Sequence, residues 1–143
     1  MSNTSGSFFV YLIKCDGQVW VMSEKKDHRK ELGRRGEELA CHYLIEKGLR
    51  LLERNYRTPR GEIDLIMCQK SLYIFVEVKT RKCNKFGDGR ESITIQKQNR
   101  IRTVALNYLK NRSLSTGKFR FDVIIITVHK NFLSHISHIE NAF

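Results

Sequence analysis

What this chain lacks narrows its class before any motif is considered. The apolar stretch from Phe8 to Ile13 is far shorter than the ~20 residues a membrane helix needs. No Lys or Arg precedes it, so it does not read as a secretory signal, and no targeting segment or membrane partner is expected. The four cysteines, Cys15, Cys41, Cys68 and Cys83, show neither the close spacings of a zinc site nor the framework of a small secreted scaffold; they read as reduced thiols in a cytoplasm. There is no internal repeat and no low-complexity tract. Acid is scarce as well: 15 Asp and Glu stand against 26 Lys and Arg, a net charge of +11. Such a surplus points to a polyanionic partner, nucleic acid ahead of an anionic membrane surface, with plain solubility as the alternative.

What is present suits one domain with a sizeable core: 143 residues, 41% of them hydrophobic. Residues 8–14 and 18–22 flank Asp16-Gly17, a hairpin signal. The charged run SEKKDHRK follows, so residues 1–25 read as an N-terminal extension, either a hairpin or an over-extended start with Met22 as initiator, and residues 26–143 as the domain proper. Between 26 and 47, Leu32, Gly36, Leu39, Ala40, Tyr43 and Leu44 recur at helical spacing and Gly48 supplies a stop. Strands are expected at 49–57 and 61–67, parted by Thr58-Pro59-Arg60, and at 72–79 after the polar connection CQKS. A second amphipathic helix covers 94–111, with Ile101, Val104, Ala105 and Tyr108 on its stripe, and FDVIIITV at 121–128 is a strand covered on both faces. The class is α/β.

The stretch GEIDLIMCQKSLYIFVEVKT, residues 61–80, sets three acids and Lys79 into two otherwise apolar strands. With 68–71 as the connection, Met67 opposes Leu72, Leu65 opposes Ile74 and Ile63 opposes Val76, which makes one aliphatic face. The other face then carries Glu62 beside Glu77, Asp64 beside Phe75, and Lys79 beyond. Like charges side by side are destabilising, and a buried carboxylate without a partner costs several kcal/mol in effective terms. Three things can offset this: a hard cation such as Mg2+ (or Mn2+), neutralising side chains such as Lys79, Arg81 or Arg60, or exposure to water. The physics leaves these open. Glu77 and Lys79, at i and i+2, project side by side and would put an ammonium next to the water that such an ion polarises, where it could orient or deprotonate the nucleophile.

At these residues the chain resembles a known family. GRRGEELACHYLIEKG, NYRTPRGEIDLI, FVEVKTR followed by Phe86-Gly87, FRFDVIIITV and the closing IENAF are similar, in that order, to the YraN-type bacterial proteins, over roughly Leu32 to the C-terminus. That resemblance implies a restriction-endonuclease-like fold, a mixed β-sheet flanked by helices, and kinship with Holliday-junction resolvases and the PD-(D/E)-x-K nucleases. It assigns Asp64 as the first strand acid, Glu77 as the second and Lys79 as the lysine, with Ile63 in place of the signature proline. It further implies another acid from the first helix. Projected at about 100 degrees per residue, Glu37 lies nearer the apolar stripe than Glu38, and Gly33 and Gly36 would permit close approach. Glu37, Asp64 and Glu77 are thus the expected metal ligands, with Lys79 joining them as catalytic residues.

Around this set, Lys97 falls at the N-terminal end of the second helix's stripe, where its ammonium could reach over the sheet toward a phosphate. Arg100, Arg60 and Arg81 are the further candidates for nucleic-acid contact. Arg34, Arg35, Arg57, Arg102, Lys110 and Arg112 could also track a backbone. His135 and His138, at i and i+3 in a strand, point to opposite faces and receive no ligand role. The leading expectation is a metal-dependent endonuclease acting on DNA, branched or structured DNA included, with 5'-phosphate products implied by the resemblance and a homodimer as in resolvases. The alternatives are a non-catalytic nucleic-acid-binding module on the same scaffold and, more distantly, a protein-interaction subunit.

Overall fold

Nineteen residues, His28–Glu46, form the first helix, α1, and its apolar spacing buries Leu39, Ala40 and Leu44 on one face. In the computed structural model, residues 10–15, 18–23, 28–83, 93–114, 117–129 and 134–143 are described. The Asp16-Gly17 turn and the Phe86-Gly87 motif lie outside them. Before α1, strands β1 (Val10–Cys15) and β2 (Gln18–Ser23) pair antiparallel in a two-stranded sheet of their own. After α1 the chain reverses at Gly48, whose φ of 88° is the left-handed conformation a helix stop favours.

Three strands then run as a contiguous meander: β3 (Arg50–Thr58), β4 (Gly61–Gln69) and β5 (Leu72–Lys82). Helix α2 (Ile95–Asn111), capped by Thr94, whose side chain accepts from the Lys97 N–H, carries the chain to β6 (Lys118–Val128), and β7 (Ser134–Ile139) closes the edge. The sheet order is β3-β4-β5-β6-β7, with β5 and β6 parallel and the other neighbours antiparallel. The mixed sheet flanked by helices is thus the architecture observed.

Each face of the sheet has its own core. Leu65, Met67, Ile74 and Val76 pack with Leu39, Ala40 and Leu44 of α1, while Ile66, Phe75 and Phe121 pack with Ile101, Val104, Ala105 and Tyr108 of α2. Burying side chains of this size contributes roughly 1.5–3 kcal/mol apiece before entropy is counted. FDVIIITV is covered on both faces, as its unbroken apolar run predicts.

The register of β4 against β5 differs from the expected one. Gln69 pairs with Leu72 and Met67 with Ile74, because Lys70, at a φ of 55°, closes a two-residue turn with Ser71 in place of a four-residue connection. A shift of two residues keeps every side chain on its face but moves its partner. Counting outward from these pairs sets Asp64, rather than Glu62, across from Glu77. Glu62 instead forms an exposed ion pair with Arg57 at 3.2 Å.

A second difference concerns Ile63. It packs in the α2 cluster, whereas Leu65, two residues on, packs in the α1 cluster, so the period-2 alternation breaks at Asp64. Asn55 is the cause on the neighbouring strand. It is flanked by the pairs Arg54↔Leu65 and Tyr56↔Ile63 and adopts a φ of 48°, a left-handed kink that turns Tyr56 onto the α2 side.

Candidate active site

Asp64 sits where β4 leaves β5. The β4–β5 ladder ends at Leu65↔Val76, and beyond it the Val78 N–H donates to Asp64 Oδ2 at 2.7 Å. The carboxylate thus lies in the gap between strands, where burial and the neighbouring Glu77 charge push its pKa up to about 7 in spite of that donor. Glu77, 7% exposed, meets it from the α2 side of β5. Lys97, one turn into α2, pairs with Glu77 Oε1 at 3.0 Å. Although its burial opposes the charge, that hydrogen bond and the surrounding acids raise the pKa of Lys97.

Glu77 Oε2 is buried and has no hydrogen-bond partner. A carboxylate oxygen left in this state carries a full desolvation penalty, beside a second carboxyl whose pKa burial, and then the Glu77 charge, push up to about 7. The donor set, two hard oxygens converging from adjacent strands, suits a small divalent cation that keeps much of its water. Among the described residues no three His, Cys, Asp or Glu side chains converge closely enough to hold an ion on their own. The pair therefore leaves most of a coordination sphere to water or to substrate oxygens.

Glu37 approaches from α1. Gly36 is buried, and a Cβ built on it would collide with Thr80 Oγ1, so α1 lies directly against β5 at this level. At Gly33, by contrast, a Cβ would have nothing within 4 Å, so no close approach is made there. Glu37 is half-buried; its pKa is raised by burial, opposed by a side-chain hydrogen bond from Asn55, and its charge is felt at Asp64. Glu38 turns outward to Arg34 at 2.8 Å. Lys79 is half-buried on β5 beside Ile125 of β6, two residues beyond Glu77.

The basic residues divide into two groups. Arg34 and Arg35 are tied to Glu31, Arg57 to Glu62, and Arg112 to Glu53, while Arg102 lies over the Phe143 ring. Arg60 is exposed in the β3–β4 turn; a Cβ on Gly61 would lie 3.8 Å from Arg100, so the turn and α2 meet beside the acid pair. Arg81 lies two residues past Lys79 and already holds an interaction within the fold.

Two features escaped the sequence reading. Asp122, 0% exposed, accepts both Arg120 Nε at 2.9 Å and Arg120 Nη2 at 3.0 Å, the Asn141 N–H at 3.0 Å, and lies 2.8 Å from His138 Nε2. An acid inside an unbroken apolar run was the available signal, since it demands buried partners. Asn55 was the other; an Asn in an edge strand is the residue type that tolerates a left-handed kink.

A mixed five-stranded sheet between two helices, with facing acids where two central strands part and a lysine two residues beyond the second, defines a restriction-endonuclease-like domain. The model of the Uncharacterised protein family UPF0102 matches residues 36–126, and the chain belongs to that family, the YraN family. It is 40% identical over 116 residues to a UPF0102 protein of Rhodococcus opacus (strain B4), covering 81% of this chain and 98% of that one. A UPF0102 protein of Alkaliphilus oremlandii (strain OhILAs) is 44% identical over 117 residues, covering 80% and 98% respectively. Among solved structures, that of Pyrococcus furiosus SfsA in complex with Ca2+ aligns over 92% of this chain and 75% of its own, at 15% identity and a TM-score of 0.36, too distant a likeness to bear on function. No helix among the described residues is long and apolar enough to cross a membrane, and Cys41, Cys68 and Cys83 are free thiols.

Proposed function

We propose that this protein is a divalent-metal-dependent endonuclease acting on DNA in the cytoplasm, branched or otherwise structured DNA among its substrates. The observation that carries this reading is the buried, unpartnered Oε2 of Glu77 set against Asp64, a pair that is costly by itself and favourable around a cation. Asp64 and Glu77 would hold Mg2+ or Mn2+, with Glu37 on α1 adding negative charge nearby. The ion would supply Lewis-acid polarisation and neutralise charge on the scissile phosphate. Lys79 would orient the attacking water through Nζ. Lys97 holds Glu77 Oε1 and adds positive charge where a phosphate would enter. Arg60, Arg100 and Arg81 are the side chains offered to the phosphate backbone, in a chain whose net charge of +11 favours such a partner.

A non-catalytic nucleic-acid-binding module is the second reading. It is favoured by the Lys97–Glu77 pair together with an Asp64 that can keep its proton near pH 7, because the two acids can then coexist with no ion. The test has two parts. Calorimetric titration with Mn2+ should show uptake by the parent that weakens sharply in Asp64→Asn and Glu77→Gln; a parent that takes up no ion removes the metal site. Cleavage of junction, flap, single-stranded and duplex DNA should depend on Mn2+ and on Lys79. Activity undiminished in Lys79→Ala would refute the role given to that lysine, and salt-sensitive binding without cleavage would favour the second reading.

A further inference from the structure

Arg34, Arg35, Arg57, Arg112 and Arg120 each pair with a carboxylate, and Arg102 does not. Among the described residues its guanidinium has a ring and an amide for partners instead: it lies over Phe143 at 5.1 Å and donates from Nη1 to Asn99 Oδ1 at 3.4 Å. Phe143 is itself fixed, stacked on Phe121 at 5.0 Å, with the Ala142 N–H donating to the Phe121 carbonyl at 2.7 Å. A guanidinium whose plane is set by a ring, and whose charge meets no acid, keeps donors for an outside oxyanion.

Beside this stack stands Phe119, two residues before Phe121 and so on the same face of β6. Phe75 and Phe121 hold it in near-perpendicular ring contacts, at 6.5 and 5.8 Å, yet it is 41% exposed. Its neighbour Lys118 is exposed as well. Ile139, opposite Val123 on β7, is 45% exposed, so this face stays open where the sheet runs out from under α2. The acid that follows, Glu140, is held by Arg120 at 3.3 Å. The parallel pairing of β5 and β6 sets Glu77 beside Val123, four residues along from Phe119, or ~13 Å at strand spacing.

We infer that Phe119 and Arg102 form a subsite for single-stranded nucleic acid next to the acid pair, in which Phe119 stacks on a base while Arg102 and Lys118 take phosphates. A rigidly held aromatic ring among cations suits a single strand, whose bases present their faces; in a duplex those faces are stacked away. The unanswered cations favour a polyanion over a protein segment as the occupant. This inference deepens the reading that the protein acts on nucleic acid and rests on it, narrowing the substrate to one with an unpaired arm, but it does not need the cation.

Fluorescence anisotropy in EDTA tests it, with a DNA duplex that carries a single-stranded thymidine arm and the same duplex without one. The parent should bind the armed duplex about tenfold or more tightly. Phe119→Leu keeps an apolar side chain against Phe75 and deletes the ring; it should lose about tenfold on the armed duplex and nothing on the blunt one. An arm of abasic residues should bind the parent and Phe119→Leu alike. Arg102→Gln should weaken binding of either arm and lower the slope of affinity against salt by about one. Parent-like binding of the thymidine arm by Phe119→Leu, or an equal loss on the abasic arm, would overturn the stacking role. A parent indifferent to the arm would overturn the subsite and leave the surface to a protein partner. Should the parent take up no Mn2+, the metal reading fails while this series in EDTA still decides the subsite.

Discussion

Gly36 of α1 and Thr80 of β5 touch without room for a single additional carbon: a Cβ on Gly36 would overlap Thr80 Oγ1 and lie 3.0 Å from Thr80 Cβ. Thr80 Oγ1 is itself buried without a hydrogen-bond partner. Gly36→Ala should therefore destabilise the protein by about 1–3 kcal/mol even though alanine is the better helix former. Adding Thr80→Ala should recover part of the loss, since it removes the nearer obstacle and an unsatisfied hydroxyl. Urea unfolding of the single and double variants measures both effects, and a neutral Gly36→Ala would mean that the helix can lift off the sheet at no cost.

Asp64 makes stability depend on pH in an unusual direction. Its pKa in the folded protein is about 7 against an ordinary 3.8, so between those values the folded state keeps a proton that the unfolded chain has lost. The unfolding free energy then falls as pH rises through that window. Asp64→Asn preserves an acceptor for the Val78 N–H and removes the charge. In EDTA at pH 8 it should be more stable than the parent by roughly 1–3 kcal/mol, with the gap closing below about pH 4. Equal unfolding curves at pH 8 would contradict the raised pKa.

Lys97 supports Glu77 and also competes with a cation for it. Lys97→Met should cost about 1 kcal/mol in EDTA, a modest figure because the ammonium is 38% exposed and partly screened. The same change should tighten Mn2+ binding several-fold by removing a nearby positive charge, yet slow DNA cleavage. Calorimetry and a single-turnover cleavage assay read the two effects separately, and weaker Mn2+ binding would show that Lys97 supports the site only through packing.

Asp122 ties the end of the chain to the sheet. Deleting its carboxylate in Asp122→Ala removes the shared buried acceptor of Arg120 and His138 and frees the Asn141 N–H, and should cost about 3–5 kcal/mol even though Arg120 keeps Glu140. Thermal melting would register this as a large drop. A change below 1 kcal/mol would place the strength of this end in the Phe121–Phe143 stack, whose rings lie 5.0 Å apart.

The elements were legible in the sequence because each carries a strong period: α1 and α2 through their apolar stripes, β6 through its unbroken run. The sequence pattern set Asp64 and Glu77 on one face but paired Glu77 with Glu62 and Asp64 with Phe75, two residues out of the observed register. Their exact opposition was not legible. It depends on a two-residue turn at Lys70-Ser71, and neither residue is the Asn-Gly or Asp-Gly that advertises such a turn. The exchange of faces at Ile63 was hidden for a related reason. A strict alternation of side chains presumes regular backbone, and a single left-handed residue on the adjacent strand, Asn55, invalidates it. The Asp122 clasp joins residues from two strands and the terminal turn, and local spacing cannot reveal partners that tertiary packing supplies.

The uninterrupted meander of β3, β4 and β5 has a kinetic consequence. Its contacts are short in sequence and should form early, whereas Lys97 arrives only when α2 docks on the sheet during the crossover to β6. On that route the two acids meet before their ammonium does, and repulsion enters the barrier as well as the final state. Refolding in EDTA should then speed up as the solution is acidified through neutrality, and stopped-flow traces of the parent and Asp64→Asn would diverge only on the alkaline side.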